Sequence, residues 1–197
     1  MELADAHVVV TGAGRGIGGA LARRFHAQGA RVVVADILDP AGIAGSLPGA
    51  VAIVADVATE RGNVDLIDAA EAAFGPVDLF FANAGVAVGI DLTTSEADWQ
   101  LAFDVNVNAH RWAAARLLDG WLDRGHGYFC STASAAGLLS QIGSAPYAVT
   151  KRAAVAFAEW LSITYGDRGI RVTCLCPQGV NTAMLQISLG VGTDVVK

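Results

Sequence analysis

Charge is scarce in this chain. Asp, Glu, Lys and Arg make up 16 % of the sequence and hydrophobic residues 53 %, where an average globular protein is roughly 25 % charged. A disordered, charge-solvated chain is thereby excluded. Acidic residues number 19 and basic ones 13, for a net charge of −6 with no block of like sign, so the sequence offers no basic surface to nucleic acid or to an anionic membrane. Lysine is rarer still, with Lys151 and Lys197 the two in the chain. Cysteine is short as well: Cys130, Cys174 and Cys176 all lie in apolar, strand-like runs. They read as reduced core thiols, neither a disulfide framework nor a metal site. The N-terminal M-E-L-A-D-A-H lacks a basic region leading into an apolar one, so no secretory signal is read there and the cytoplasm is the expected location. Residues 125–150 and 172–193 carry no charged residue, yet both are full of Ser, Thr, Gln, Asn, Gly and Pro. Neither reads as a membrane span.

What is present has a clear rhythm. The 197 residues suit one domain with a sizeable core, folding mostly for small-molecule partners or copies of itself. Six short β-branched or apolar runs, at residues 8–10, 31–35, 51–54, 77–81, 128–131 and 170–176, alternate with segments of helical period. Ile17, Leu21 and Phe25 mark the first helix; Val64, Ile67, Ala70 and Phe74 mark another, and two long ones span 96–122 and 145–165. Asp39 and Pro40 start a brief helix before a short loop at 46–49. The strands are apolar throughout, as in a parallel sheet covered on both faces. The expected fold is therefore α/β, a doubly wound parallel sheet with right-handed crossovers and at least six strands.

Directly after the first strand stands T-G-A-G-R-G-I-G, residues 11–18, opening into a helix. Glycines there allow a tight turn and close backbone approach, while free N–H groups and the helix dipole attract a pyrophosphate. No G-K-[ST] follows, which argues against a P-loop nucleotidase. Asp36 closes the second strand 20 positions beyond Gly16, where a carboxylate accepts hydrogen bonds from both hydroxyls of an adenine ribose and repels a 2′-phosphate. Arg15 in the loop pulls the other way, because a guanidinium pairs with such a phosphate. With Asp36 weighed more heavily, the reading is a Rossmann-type fold that takes NAD in preference to NADP.

From about residue 6 to about 184 the sequence resembles the short-chain dehydrogenase/reductase family, in the subtype whose loop reads T-G-x-x-x-G-x-G. Asp56 and Val57 resemble its adenine contact, and Asn83 to Gly85 its N-A-G signature. Asn106 in D-V-N, Ser134 in A-S-A-A-G, and Tyr147 and Lys151 in Y-A-V-T-K resemble its catalytic asparagine, serine, tyrosine and lysine. P-Q-G-V-N-T, residues 177–182, is similar to the family's P-G-x-V-x-T, with Gln178 where that pattern has Gly. With three tyrosines and two lysines in the chain, a chance Y-x-x-x-K is roughly a 3 % event. The cofactor-binding set this resemblance implies is Gly12, Arg15, Gly16, Ile17, Gly18, Asp36, Asp56, Val57, Asn83, Gly85, Tyr147, Lys151, Val180 and Thr182.

Tyr147 and Lys151 lie four positions apart on a helix with Pro146 in its first turn and Ser144 available as cap, so they share one face. A nearby cation lowers the phenol pKa, and Tyr147 then takes the proton of an alcohol or protonates an alkoxide as hydride moves to or from NAD. Ser134 donates a hydrogen bond to the reacting oxygen; by resemblance, Asn106 holds a water linking the lysine to solvent. Each has a plainer reading: Asn106 on an exposed helix face, Ser134 a small loop residue, Tyr147 a helix-start aromatic. His7, His110 and His126 read as surface or satisfied residues, and Trp99, Trp112 and Trp160 as packing aromatics. The expected activity is interconversion of a secondary alcohol and a ketone, with no metal. A non-catalytic NAD-binding scaffold and a sugar-nucleotide epimerase or dehydratase are the alternatives. Leu138, Leu139 and Ile142 with Gln141 suggest an apolar substrate pocket. By resemblance, a homodimer or homotetramer forms through the two long helices. The family's substrate lid and seventh strand lie beyond what this chain contains, so a slow catalyst is expected and residues 170–176 need a neighbour to cover them.

Overall fold

Valine runs make the centre of the molecule, which is a computed structural model describing residues 1–188. In β1 (His7–Thr11) and β2 (Arg31–Asp36), Val9 and Val33 pack into the core on one side of the sheet, with Phe80, Phe129 and Trp121. Val8, Val10, Val32 and Val34 pack into the core on the other, with Leu79, Phe81 and Cys130. An unbroken apolar strand thus serves two cores at once. Each valine buried there contributes roughly 1.5–3 kcal/mol.

The remaining strands are β3 (Val51–Val54), β4 (Leu79–Ala82), β5 (Gly127–Thr132) and β6 (Ile170–Leu175), all parallel in the order β3-β2-β1-β4-β5-β6. Helices α1 (Gly16–Ala27), the single turn α2 (Ala41–Ala44) and α3 (Glu60–Phe74) connect the first four. Between β4 and β5 come α4 (Glu96–Phe103), a π-helical turn (Asp104–Asn108) and α5 (Ala109–Arg124). The 3-10 turn Ala135–Gly137 and α6 (Ala145–Tyr165) precede β6, and α7 (Ala183–Ser188) follows it. Strand order reverses between β1 and β4, so their carboxyl ends open the crevice where such sheets bind ligands.

Several sequence expectations need correction. The segment read as one helix over 96–122 is interrupted: an extra residue per turn at Asp104–Asn108 sets α5 at a new phase, a feature apolar periodicity does not encode. The edge strands β3 and β6 alternate between more and less exposed positions instead of being covered on both faces; along β6 Arg171, Thr173 and Leu175 are exposed. A seventh strand would belong to chain outside the described residues. Trp160 is 53 % exposed, stacked on Phe157 and edge-on to Tyr165, whereas Trp99 and Trp112 are half-buried. His126 is exposed and His7 is buried with Nδ1 on the Gly75 carbonyl at 2.8 Å. His110 is neither surface nor satisfied. It is buried in α5 against Phe129, with no hydrogen bond to either ring nitrogen among the described residues.

Candidate active site

The glycine loop packs too closely for side chains. Gly12 sits at φ 61°, and a Cβ there would lie 2.7 Å from the Cα of Ala84. A Cβ on Gly18 would run into the Gly12 carbonyl and the Asn83 amide. These glycines close the gap between the β1 and β4 loops, while the first turn of α1 holds no acidic side chain and no side-chain cap. Its amides are therefore open to an anion. Arg15 is exposed, Ile17 half-buried, and Gly16 faces the Thr182 methyl at a Cβ distance of 3.5 Å.

Asp36 is brought to this loop. One carboxylate oxygen accepts the Gly14 amide at 2.9 Å and the other the Leu38 amide at 3.1 Å. Asp56 is exposed after β3, with one carboxylate oxygen accepting the Ala58 amide at 2.9 Å, and Val57 beside it is buried. The Asn83 side chain is committed to the scaffold: its amide donates to the carbonyls of Thr11 and Gly12 at 3.0 and 3.2 Å, and its oxygen accepts the Thr132 hydroxyl at 2.9 Å. Thr11, through Oγ1, accepts the Asn83 and Ala84 amides at 3.0 and 3.1 Å. The ends of β1, β4 and β5 are thus tied by side chains as well as by the ladder, and the two threonines were missed by sequence reasoning.

Lys151 is 2 % exposed, and its Nζ donates to the Thr132 carbonyl at 2.9 Å. The same nitrogen lies 5.6 Å from the centroid of the Tyr147 ring, confirming one face for the pair. Burial pushes the ammonium down to about 8, partly offset by the nearby sulfurs of Cys174 and Cys176. At Gly85 the lysine and Asn106 meet: a Cβ on this glycine would lie 3.1 Å from Nζ and 3.2 Å from the Asn106 Oδ1. No larger residue leaves both in place.

Asn106 is fully buried, not on an exposed face. Its Oδ1 accepts the Val86 amide at 2.9 Å, and its Nδ2 donates to the Val86 carbonyl at 2.9 Å and the Thr150 hydroxyl at 3.0 Å. The Thr150 hydroxyl in turn donates to the Pro146 carbonyl at 2.7 Å. The π-helical turn is thereby fixed to the loop after β4 and to the first turn of α6. Thr150 carried no signal in the sequence beyond its place inside Y-A-V-T-K.

Ser134 lies between the Thr132 carbonyl and the 3-10 turn, which it caps by accepting the Ala136 amide at 3.1 Å. Ser144 occupies the predicted N-cap position of α6, yet its hydroxyl is buried and makes no capping bond. The suggested apolar pocket is not closed by its own residues: Leu138, Leu139 and Ile142 are 55, 71 and 97 % exposed, and Gln141 is exposed too. Gln178 and Val180 are exposed in the loop after β6. No group of three or more His, Cys, Asp or Glu side chains able to hold a metal occurs among the described residues. Nor does any described helix have the length and apolarity to cross a membrane.

Residues 6–189 match the family model described as short chain dehydrogenase. Among similar proteins is the meso-2,3-butanediol dehydrogenase of Serratia marcescens, 36 % identical over 182 residues that cover 90 % of this chain and 72 % of that protein. The 3beta-hydroxysteroid dehydrogenase 1 of Eggerthella lenta is 34 % identical over 190 residues, 92 % of this chain and 73 % of its own. The chain spans about two thirds of the length of the first curated relatives it matches, at 66 and 67 %. A short chain dehydrogenase/reductase from Burkholderia phymatum solved in complex with NAD superposes with a TM-score of 0.90 at 30 % identity, over 98 % of this chain and 72 % of that one. The 3-ketoacyl-(acyl-carrier-protein) reductase of Brucella melitensis, solved with NADH, gives 0.89 at 27 % identity, over 93 and 80 %. With the glycine loop, the buried lysine beside its tyrosine and these likenesses in hand, the chain belongs to the short-chain dehydrogenase/reductase family of oxidoreductases.

Proposed function

We propose that this chain carries the catalytic centre of an NAD-dependent dehydrogenase/reductase interconverting a secondary alcohol and a ketone, with Tyr147 as the group that moves the proton. The observation that carries this reading is the Lys151 ammonium, buried on the Thr132 carbonyl, 5.6 Å from the Tyr147 ring and next to Asn106 Oδ1 at Gly85. A buried ammonium costs free energy, and here that cost is met beside a tyrosine able to move a proton. The group offered for proton transfer is the phenol oxygen of Tyr147. That oxygen can take a proton from an alcohol or return one to an alkoxide. Ser134, held at the start of its turn, orients the reacting oxygen and stabilises its developing charge.

The residues present suit a dinucleotide. Gly12, Gly16 and Gly18 leave room for a pyrophosphate against the free amides of α1, Asp36 stands ready for the ribose hydroxyls, and Asp56 with Val57 for the adenine. Lys151, Val180 and Thr182 would complete the set that holds the dinucleotide, with Thr182 facing Gly16 of the glycine loop. Bound NAD supplies the hydride acceptor or donor. The exposed apolar surface of α6 at Trp160 and Ile163, 53 and 85 % exposed, suits packing by a second copy.

The test is Tyr147→Phe, assayed with NAD against a panel of secondary alcohols on which the unmutated protein turns over. Turnover should fall by more than a hundredfold, while NAD binding by calorimetry and thermal stability stay within error, because only the proton-transfer group is lost. A variant keeping more than a tenth of the rate overturns the assignment.

A further inference from the structure

Three thiols in this molecule have very different surroundings. Cys130 is buried in β5, and burial pushes its thiol up to about 12, leaving it inert. Cys174 near the end of β6 and Cys176 just past it are both only half-buried. Residues two apart on a strand point to the same side, and these two sulfurs converge to 3.9 Å.

We propose that Cys174 and Cys176 are a dithiol site that closes reversibly to a disulfide by exchange with a small-molecule disulfide. Two strand positions span about 6.4–6.8 Å, at the upper end of the roughly 4.4–6.8 Å that disulfides bridge between Cα atoms. Cys176 lies one residue beyond the β6 ladder, whose last pair is Thr132 with Leu175. A bridge formed at that limit is strained, hence easily reduced again. Burial and the adjoining Cys174 sulfur push the Cys176 thiol up; sharing one bond removes that crowding of two ionisable sulfurs. The Lys151 charge acts on the Cys176 thiol in the opposite direction, as the smallest of these influences.

The exchange balances. One protein thiolate attacks a sulfur of the small disulfide, breaking its S–S bond and releasing one thiolate, which takes up a proton. The second protein thiolate attacks the protein-bound sulfur, forms the Cys174–Cys176 bond and expels the second small thiol. The two protein thiols have lost two electrons and two protons, and the small disulfide has gained them as two thiols.

This site backs the serine turn. The Ala133 amide donates to the Leu175 carbonyl at 2.8 Å and the Ala135 amide to the Pro177 carbonyl at 2.9 Å, one on each side of Ser134. Moving Cys176 toward Cys174 therefore pulls on the short segment that carries both of these carbonyls.

The test equilibrates reduced protein with glutathione disulfide and glutathione at graded ratios, then alkylates and analyses the peptide holding both cysteines by mass spectrometry. The expected product is that peptide unlabelled and lighter by two hydrogens, reverting with dithiothreitol, while Cys130 alone is alkylated after unfolding. Cys176→Ser should instead trap a glutathione adduct on Cys174, and Cys174→Ser one on Cys176. Two alkylated cysteines at every ratio, adducts that persist on the unmutated pair, or single variants that take up no adduct each overturn the proposal. In the oxidised protein, amide hydrogen exchange at Ala133 and Ala135 should speed up severalfold; unchanged exchange there would sever the link to the serine turn.

Discussion

Asp36 spends one hydrogen bond on the Gly14 amide and one on the Leu38 amide, and each oxygen keeps a lone pair for a further donor. A ribose with two free hydroxyls meets that need, whereas a 2′-phosphate brings negative charge against a carboxylate already fixed in place. Against this stands Arg15, exposed and in no salt bridge among the described residues. NAD should bind more tightly than NADP. Asp36→Ala should narrow the ratio of the two dissociation constants by about tenfold or more, near 1.4 kcal/mol, as read by calorimetry. Equal affinity in the unmutated protein would show that Arg15 decides the matter. This residue was legible because it follows a recognisable strand and loop at a fixed interval. His110 was not, because nothing in A-H-R-W tells which face of a helix the histidine will take once a π-helical turn has changed the phase.

That turn matters most at the scale of elements. Asn106 joins it to Val86, and Thr150 joins Asn106 to α6, so the catalytic helix and the β4 loop are held in register by one amide and one hydroxyl, both fully buried. Thr150→Val keeps the shape and deletes the hydroxyl, leaving one Asn106 donor without its partner, at a cost of about 1–3 kcal/mol. Stability should drop by that amount in denaturant melts, and kcat should fall tenfold or more with a small change in KM, since Lys151 is the next residue along. Thr150→Ser should recover most of both. A valine variant with full kcat would show that the register is held without the hydroxyl. The strands and α6 were legible in the sequence, since their patterns come from local burial and from Pro146. What periodicity misses is the bond network between elements, which involves residues such as Thr11, Thr132 and Thr150, ordinary in any sequence.

For the molecule as a whole, buried histidines make acid the weak side. Burial pushes His110 down to about 3, helped by the charge of Lys151, and burial lowers His7 as well. Between about 3 and the ordinary value of 6.5, the unfolded chain binds a proton at residue 110 that the folded chain refuses. Stability therefore rises with pH across this window and is lost as pH falls through it, by up to about 1.4 kcal/mol per pH unit for one such group. His110→Leu should flatten this acid limb, leaving the smaller part due to His7, in urea melts taken from pH 7 to pH 4. An unchanged slope would show that residue 110 takes up its proton while folded.

The sheet order carries a consequence for how the protein is made. β1 lies between β2 and β4, and His7 bonds to Asp78, 71 positions away. At about 5–20 residues per second, a ribosome takes roughly 4–14 s to deliver that partner. During this interval the first half of the sheet can assemble β1 to β3, yet the other edge of β1, with its three consecutive valines, stands open. Nascent chains of this protein thus pass through a stage with a sticky, unpaired strand at the middle of the future sheet. The time a chaperone must guard them is set by the distance along the message between β1 and β4.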